Sequence, residues 1–161
     1  MARSTAQRVA LMSIHPEYAE AILSGRKCVE FRKRPLAKDI DIVAIYATVP
    51  IQAIVGWFSV SGTVKSSPSQ IWRCLHFSGE ISWSAFETYY AGHTQGVALL
   101  VEKAERFSKP VRLSSLSPCP AIPQSFSYIP DSVFDQAKAI ASKHSSREIV
   151  RYVDSGDRPA A

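Results

Sequence analysis

Leu11-Met12-Ser13-Ile14-His15-Pro16-Glu17-Tyr18-Ala19-Glu20-Ala21-Ile22-Leu23-Ser24-Gly25-Arg26-Lys27-Cys28-Val29-Glu30-Phe31-Arg32 changes its apolar period twice. The run Val9–Ile14 that enters it is apolar and reads as a first strand. Pro16 then stands where a first helical residue tolerates a missing N–H. Tyr18, Ala19, Ile22 and Leu23 share one helical face, Glu17 and Glu20 favour the N-terminal end of the helix dipole, and Gly25 suits a left-handed stop, so the expectation is a short helix over 16–24. From Cys28 to Arg34 the period drops to two. Cys28, Glu30, Arg32 and Arg34 fall on one side of a strand, with Val29 and Phe31 on the other. A carboxylate and two guanidiniums therefore share a face.

Further along, Ile42–Thr48 and Ala53–Val60 are apolar on both faces and separated by Pro50, as in central strands covered on both sides. The uncharged stretch Ile42–Val64 is read in this way rather than as a membrane span, because Pro50, Gln52 and Gly56 interrupt it and its apolar residues are β-branched. Ser67 and Ser82 each precede a helical pattern, the first carrying Ile71, Trp72 and Leu75, the second Phe86, Tyr89 and Tyr90. Gly96–Phe107 alternates as a long strand whose charged Glu102–Arg106 end predicts an edge, with the sheet stopping near Pro110. Residues 108–130 hold five of the ten prolines and read as an irregular strap packed through Leu113, Leu116, Ile122, Phe126 and Tyr128. A last amphipathic helix is expected over 131–144, capped by Asp131 or Ser132 and packed through Val133, Phe134, Ala137, Ile140 and Ala141.

The chain has 161 residues, 46% of them apolar and 20% charged, which fits one globular domain and excludes wholesale disorder. The division is a tail over 1–8, a domain over 9–144 and a C-terminal tail over 145–161, with its end mobile beyond Ser155. No repeat unit is visible. The net charge of +5 is concentrated: residues 1–38 hold eight basic and three acidic residues, and the remainder balances at eleven of each. Such a cluster draws polyanions. Three cysteines without a C-x-x-C suggest neither a disulfide framework nor a zinc ribbon, so a reducing cytoplasm is the expected location. No metal site, cofactor or membrane partner is expected, and the absence of asparagine removes N-glycosylation.

Three strings carry a resemblance. They are Leu11 to Arg32, then Ile54-Val55-Gly56-Trp57-Phe58, then Pro123-Gln124-Ser125-Phe126-Ser127-Tyr128. The first fits a G-x-K-x-x-E-x-R pattern at Gly25, Lys27, Glu30 and Arg32, and with the strands between them the chain resembles the ASCH family over residues 9–130. The resemblance implies an α+β fold, a small PUA-like β-barrel with flanking short helices and a C-terminal helix, related to domains that bind RNA or modified bases in a cleft beside the barrel. It puts Lys27, Glu30 and Arg32 in or near that cleft. A lysine beside a carboxylate presents a donor and an acceptor to a base edge, and aromatics such as Tyr46, Trp57 or Tyr90 would stack on it. His15, Gln124 and Ser125 are further ligand-contacting candidates, with Arg34 and Lys38 on a basic rim.

The leading reading is a module that binds RNA, another nucleic acid or a nucleoside. The alternative is a small hydrolase in the same cleft, acting on N4-acylated cytidine or as a ribonuclease, with Lys27 and Glu30 as its catalytic residues. Here the chain departs from the family's amidohydrolases: their threonine nucleophile falls at Glu30, and their glutamate at about Ser59. A third reading places a protein partner on the strap and the C-terminal helix.

Overall fold

The structure, a computed structural model, describes residues 8–154, with side chains over 8–143. Residues 1–7 and 155–161 of the expected tails lie outside the described residues. In chain order the elements are β1 (Arg8–Ile14), α1 (Pro16–Leu23), β2 (Val29–Arg32), β3 (Ile42–Ala47), β4 (Ala53–Ser66), α2 (Pro68–Leu75), α3 (Trp83–Tyr90), β5 (Gly96–Val111), β6 (Phe126–Pro130) and α4 (Asp131–Asp154), with single 3₁₀ turns at His76–Ser78 and Leu113–Ser115. The six strands form one mixed sheet in the order β2-β5-β4-β3-β1-β6. β1 and β3 run parallel, with Ala10 opposite Val43, and the other neighbours are antiparallel.

The period-two alternation of β1 and β3 explains why both of their faces are apolar. Val9, Leu11, Ala44 and Tyr46 face α4, where they join Val133, Phe134 and Ala137. Ala10, Met12, Val43 and Ile45 face the other way, against Ala19 and Ile22 of α1. A third cluster joins Val29 and Phe31 of β2 to Ile71, Phe86 and Tyr90 from the two middle helices. Burial of side chains such as Leu11, Ile45 and Phe58, all at 0% exposure, contributes roughly 1.5–3 kcal/mol each. Both serine caps form: Ser67 Oγ accepts from Gln70 N, and Ser82 Oγ from Ala85 N.

Four expectations are corrected. The strand ladder begins at β2 and ends at β6, and no pairing joins those edges among the described residues, so the sheet is open rather than a closed barrel. β2 is only four residues long and ends short of Pro35, and β6 ends at Pro130, which leaves little backbone to close a seam. β4 and β5 run on to Ser66 and Val111, longer than their apolar runs, because bulges at Ser59/Val60 and Val60/Gly62 carry the pairing into polar sequence. Residues 102–106 of β5 do form a local edge, since β2 covers only Val97–Leu100. The strap contains a true strand, β6, paired to β1, and Ile122 stays 61% exposed instead of packing. Finally, α4 continues past residue 144 to Asp154.

Candidate functional site

The left-handed Gly25, at φ 82°, ends α1 and turns the chain back on itself, so that Lys27 N donates to Ala21 O and Cys28 N to Ser78 O. That turn drives the Lys27 side chain inward instead of out to water. Its ammonium donates to Gly79 O and lies 3.7 Å from Glu30 Oε2. Glycine is needed at 79, because a Cβ there would stand 2.3 Å from the buried Phe31 ring. Two residues apart on β2, Glu30 and Arg32 share a face, and Arg32 Nη2 lies 3.3 Å from Glu30 Oε1. The same Nη2 donates to Ser13 O at 2.7 Å, and Nη1 to Ser125 Oγ at 3.3 Å. Arg32 thus ties edge strand β2 to β1 and the strap across the seam that the backbone leaves unpaired.

Lys27, Glu30 and Arg32 are 2%, 6% and 8% exposed, and among the described residues they are the buried charges. Two cations against one carboxylate leave a net +1 held out of water. Removing ions from water is costly, and it lowers the Lys27 ammonium from its ordinary value, while attraction from Glu30 opposes that shift. The Lys27 ammonium also sits 5.1 Å from the ring centroids of both Tyr18 and Phe31, where the ring faces offset part of the lost hydration. Arg32 Nε has no hydrogen-bond partner. Tyr90 O–H donates to Arg32 O at 2.8 Å, and burial keeps its phenol well above the ordinary range, hence a neutral donor.

These charges line a cleft of about 700 Å³, within the ~300–1,000 Å³ range of small-ligand sites. Its walls come from the start of α1, with His15, Glu17 and Tyr18, and from α3, with Ser84, Thr88 and Tyr89. His15 is exposed and meets Tyr18 edge-on at 6.0 Å, and both His15 and Gln124 of the strap are among the lining residues. Ser125 acts instead through Arg32. Arg34 and Lys38 are exposed and outside the lining, with Arg34 5.3 Å from the Phe126 ring.

The expected stacking residues are misassigned. Tyr46 is 3% exposed and lies on the α4 side of β3, Trp57 packs edge-on against Phe134 at 6.5 Å, and neither reaches the cleft. Ser59, the position of the family's glutamate, bonds Glu102 and accepts from Lys103 N away from the cleft. Tyr90 is core. The aromatic residues in the cleft lining are Tyr18, Phe31 and Tyr89, with His15 at its mouth; the periodicity of α1 and α3 alone marks Tyr18 and Tyr89 as packing residues. Successive helical residues point ~100° apart, so of Tyr89 and Tyr90 only one faces the core, and that was the available signal. Lys33 lies 4.7 Å over the ring of Tyr89, a basic contact that nothing in the local sequence pattern marks.

Comparison with known proteins gives a consistent result. Residues 12–109 match the model of the ASCH domain family. An ASCH domain-containing ribonuclease of Zymomonas mobilis is 30% identical over 111 residues, 68% of this chain and 74% of that protein. The crystal structure of a variant of the Zymomonas mobilis ASCH protein superposes with a TM-score of 0.76 at 25% identity, covering 83% of this chain and 96% of that one. The N-terminal domain of Staphylothermus marinus McrB shares the fold at 8% identity, with a TM-score of 0.54 over 81% and 93% of the two chains.

Proposed function

The chain belongs to the ASCH domain family, and on that premise we propose that it binds RNA by drawing one nucleotide into the cleft beside the sheet. The observation that carries this reading is the buried Lys27–Glu30–Arg32 cluster lining a nucleotide-sized cleft with a net positive charge. Lys27 donates to phosphate or carbonyl oxygens, Glu30 accepts from an exocyclic amine, and Tyr18 and Tyr89 offer rings for a base to lie against. His15 and Gln124 contribute polar contacts at the mouth. Lys33, Arg34 and Lys38 follow the backbone phosphates outside it. A base reaches buried groups only when unpaired, which favours single strands over duplexes.

The ribonuclease identity of the 30%-identical relative favours a second reading of the same cleft, in which bound RNA is cut. A 2′-hydroxyl would then attack the adjacent phosphorus, giving its proton to Glu30, while the 5′-oxygen departs with a proton from Lys27. Lys27 and Arg32 would stabilise the charge that builds on the phosphoryl oxygens.

One titration tests both readings: single-stranded RNA, duplex RNA and duplex DNA added to wild type and Lys27→Ala at low and high salt, with the RNA then run on a gel. Saturable binding that prefers single-stranded RNA and weakens by at least about tenfold in the variant is the expected result; shortened RNA in the wild-type lanes alone adds turnover. Equal, weak binding in both proteins, erased by salt, would sink the reading and reduce the basic cluster to a solvated face.

A further inference from the structure

We propose that the outer surface of α2, the following 3₁₀ turn and α3 is a stacking platform for the nucleotides that flank the one in the cleft, an inference that rests on the RNA reading above. Phe77 is 76% exposed and Trp83 48%, the exposed phenylalanine and tryptophan rings among the described residues, and they lie on one short segment. They are linked through other rings: Trp83 to Trp72 at 5.0 Å, Trp72 to His76 at 4.9 Å and His76 to Phe77 at 5.8 Å between centroids. The result is a continuous aromatic strip instead of scattered apolar residues, and a contiguous exposed patch calls for a partner where single residues do not.

Ring orientation indicates what the strip is for. Trp83 lies 24° from parallel to buried Phe86 at 6.2 Å, and it remains about half exposed. Trp72 and His76 lie nearly parallel, 25° apart, and His76 Nδ1 is fixed at 2.7 Å from Trp72 O. Trp72, His76 and Trp83 are thus held in place before any ligand arrives, so little of their rotamer entropy is lost when a flat group lies on them.

Continuity with the cleft selects the occupant. Trp83 sits between Ser82 and Ser84, both of which line the cleft, and Phe77 is two residues from Gly79, whose carbonyl accepts from Lys27. A strand leaving the cleft over this wall meets the rings next. Arg73 is exposed on α2 and supplies positive charge beside the rings, while Arg26 is taken up by Glu80 at 3.5 Å. Flat exposed rings suit unpaired bases, because every base has a face to stack. An aliphatic protein groove would not present such rings.

The test compares a labelled oligouridylate of about twelve nucleotides, within the ~4–16 nucleotide footprints of single-strand binders, with uridine 3′-monophosphate as the short ligand. Phe77→Ala and Trp83→Ala should each weaken the long ligand about 5- to 100-fold and leave the short one unchanged, with Trp83→Phe retaining most of the affinity. Lys27→Ala should weaken both ligands. Phe77 is largely exposed and meets His76 edge-on, so its removal leaves the core untouched even if Trp83→Ala loosens α3. Unchanged long-ligand affinity in Phe77→Ala and Trp83→Ala, alongside a loss in Lys27→Ala, would overturn the platform and leave the RNA reading standing. No binding of either ligand by wild type would overturn both. A wild-type dimer by light scattering that Phe77→Ala dissolves, with RNA affinity unchanged, would assign the strip to a second copy of the chain and overturn the proposal.

Discussion

Two of the groupings of opposite charge in the molecule differ sharply in setting, and the better-shaped one is on the surface. Arg106 on β5 grips Glu20 on α1 with two hydrogen bonds of 2.7 and 2.8 Å, while the cleft cluster has charge separations of 3.7 and 3.3 Å. Geometry alone would rank the surface pair first. Burial reverses the order, since Glu20 and Arg106 keep about half of their side-chain surface in water and the cleft residues keep less than a tenth. A wet pair is screened and contributes about 0–1 kcal/mol, whereas a dry cluster that loses one member leaves an uncompensated charge behind. The difference separates a pair that fastens a helix from a cluster that holds charge ready beside a cleft.

The comparison breaks most sharply at Glu30. Glu30→Ala leaves Lys27 and Arg32 facing each other without a carboxylate, and the expected loss is about 3–5 kcal/mol in urea unfolding. Only a small change would show that water reaches the cluster and that the two sites are equivalent.

Lys27 provides a second and smaller effect, read against pH. Its folded-state pKa is lowered by burial below the ordinary 10.5, so between the two values the unfolded chain binds more protons. Stability should therefore rise with pH on the alkaline side, through the lowered value and up to about 10.5. Lys27→Met should flatten that slope in unfolding curves measured at several alkaline pH values. A slope that persists in the variant belongs to another group.

Glu20→Gln should have the least effect, about 1 kcal/mol or less near neutral pH. The hydrogen bond from Arg106 holds the Glu20 carboxyl below its ordinary 4.5, so what stability it adds is present above that value and lost as pH falls through the folded one. Added salt should shrink it further. A loss comparable to that of Glu30→Ala would refute the burial argument.

Much of the scaffold was legible in the chain. Pro16, Gly25 and the two serine caps marked helix ends because their demands are local: a missing N–H, a positive φ, an oxygen for an orphan amide. The alternation over 28–34 correctly set Glu30 and Arg32 on one face of β2. Other features depended on partners far away in sequence. β6 was hidden within a proline-rich stretch because its pairing comes from β1, more than a hundred residues earlier, and the lengths of β4 and β5 come from each other. Tyr46 looked available for stacking because aromatic residues in strands give no sign of which face will be covered; α4 covers its face.

By itself the sequence determined where the helices start, the two-residue period that puts Glu30 and Arg32 on one face, and the presence of Lys27, Glu30 and Arg32 at fixed spacing, since all of these follow from torsional limits and side-chain periodicity within a few residues. Tertiary structure alone decided that the sheet stays open, that Arg32 spans its seam to Ser13 and Ser125, and that Tyr18 and Tyr89 rather than Tyr46 and Trp57 flank the cleft. Those outcomes depend on which surfaces exclude water together, and exclusion is a property of the packed elements.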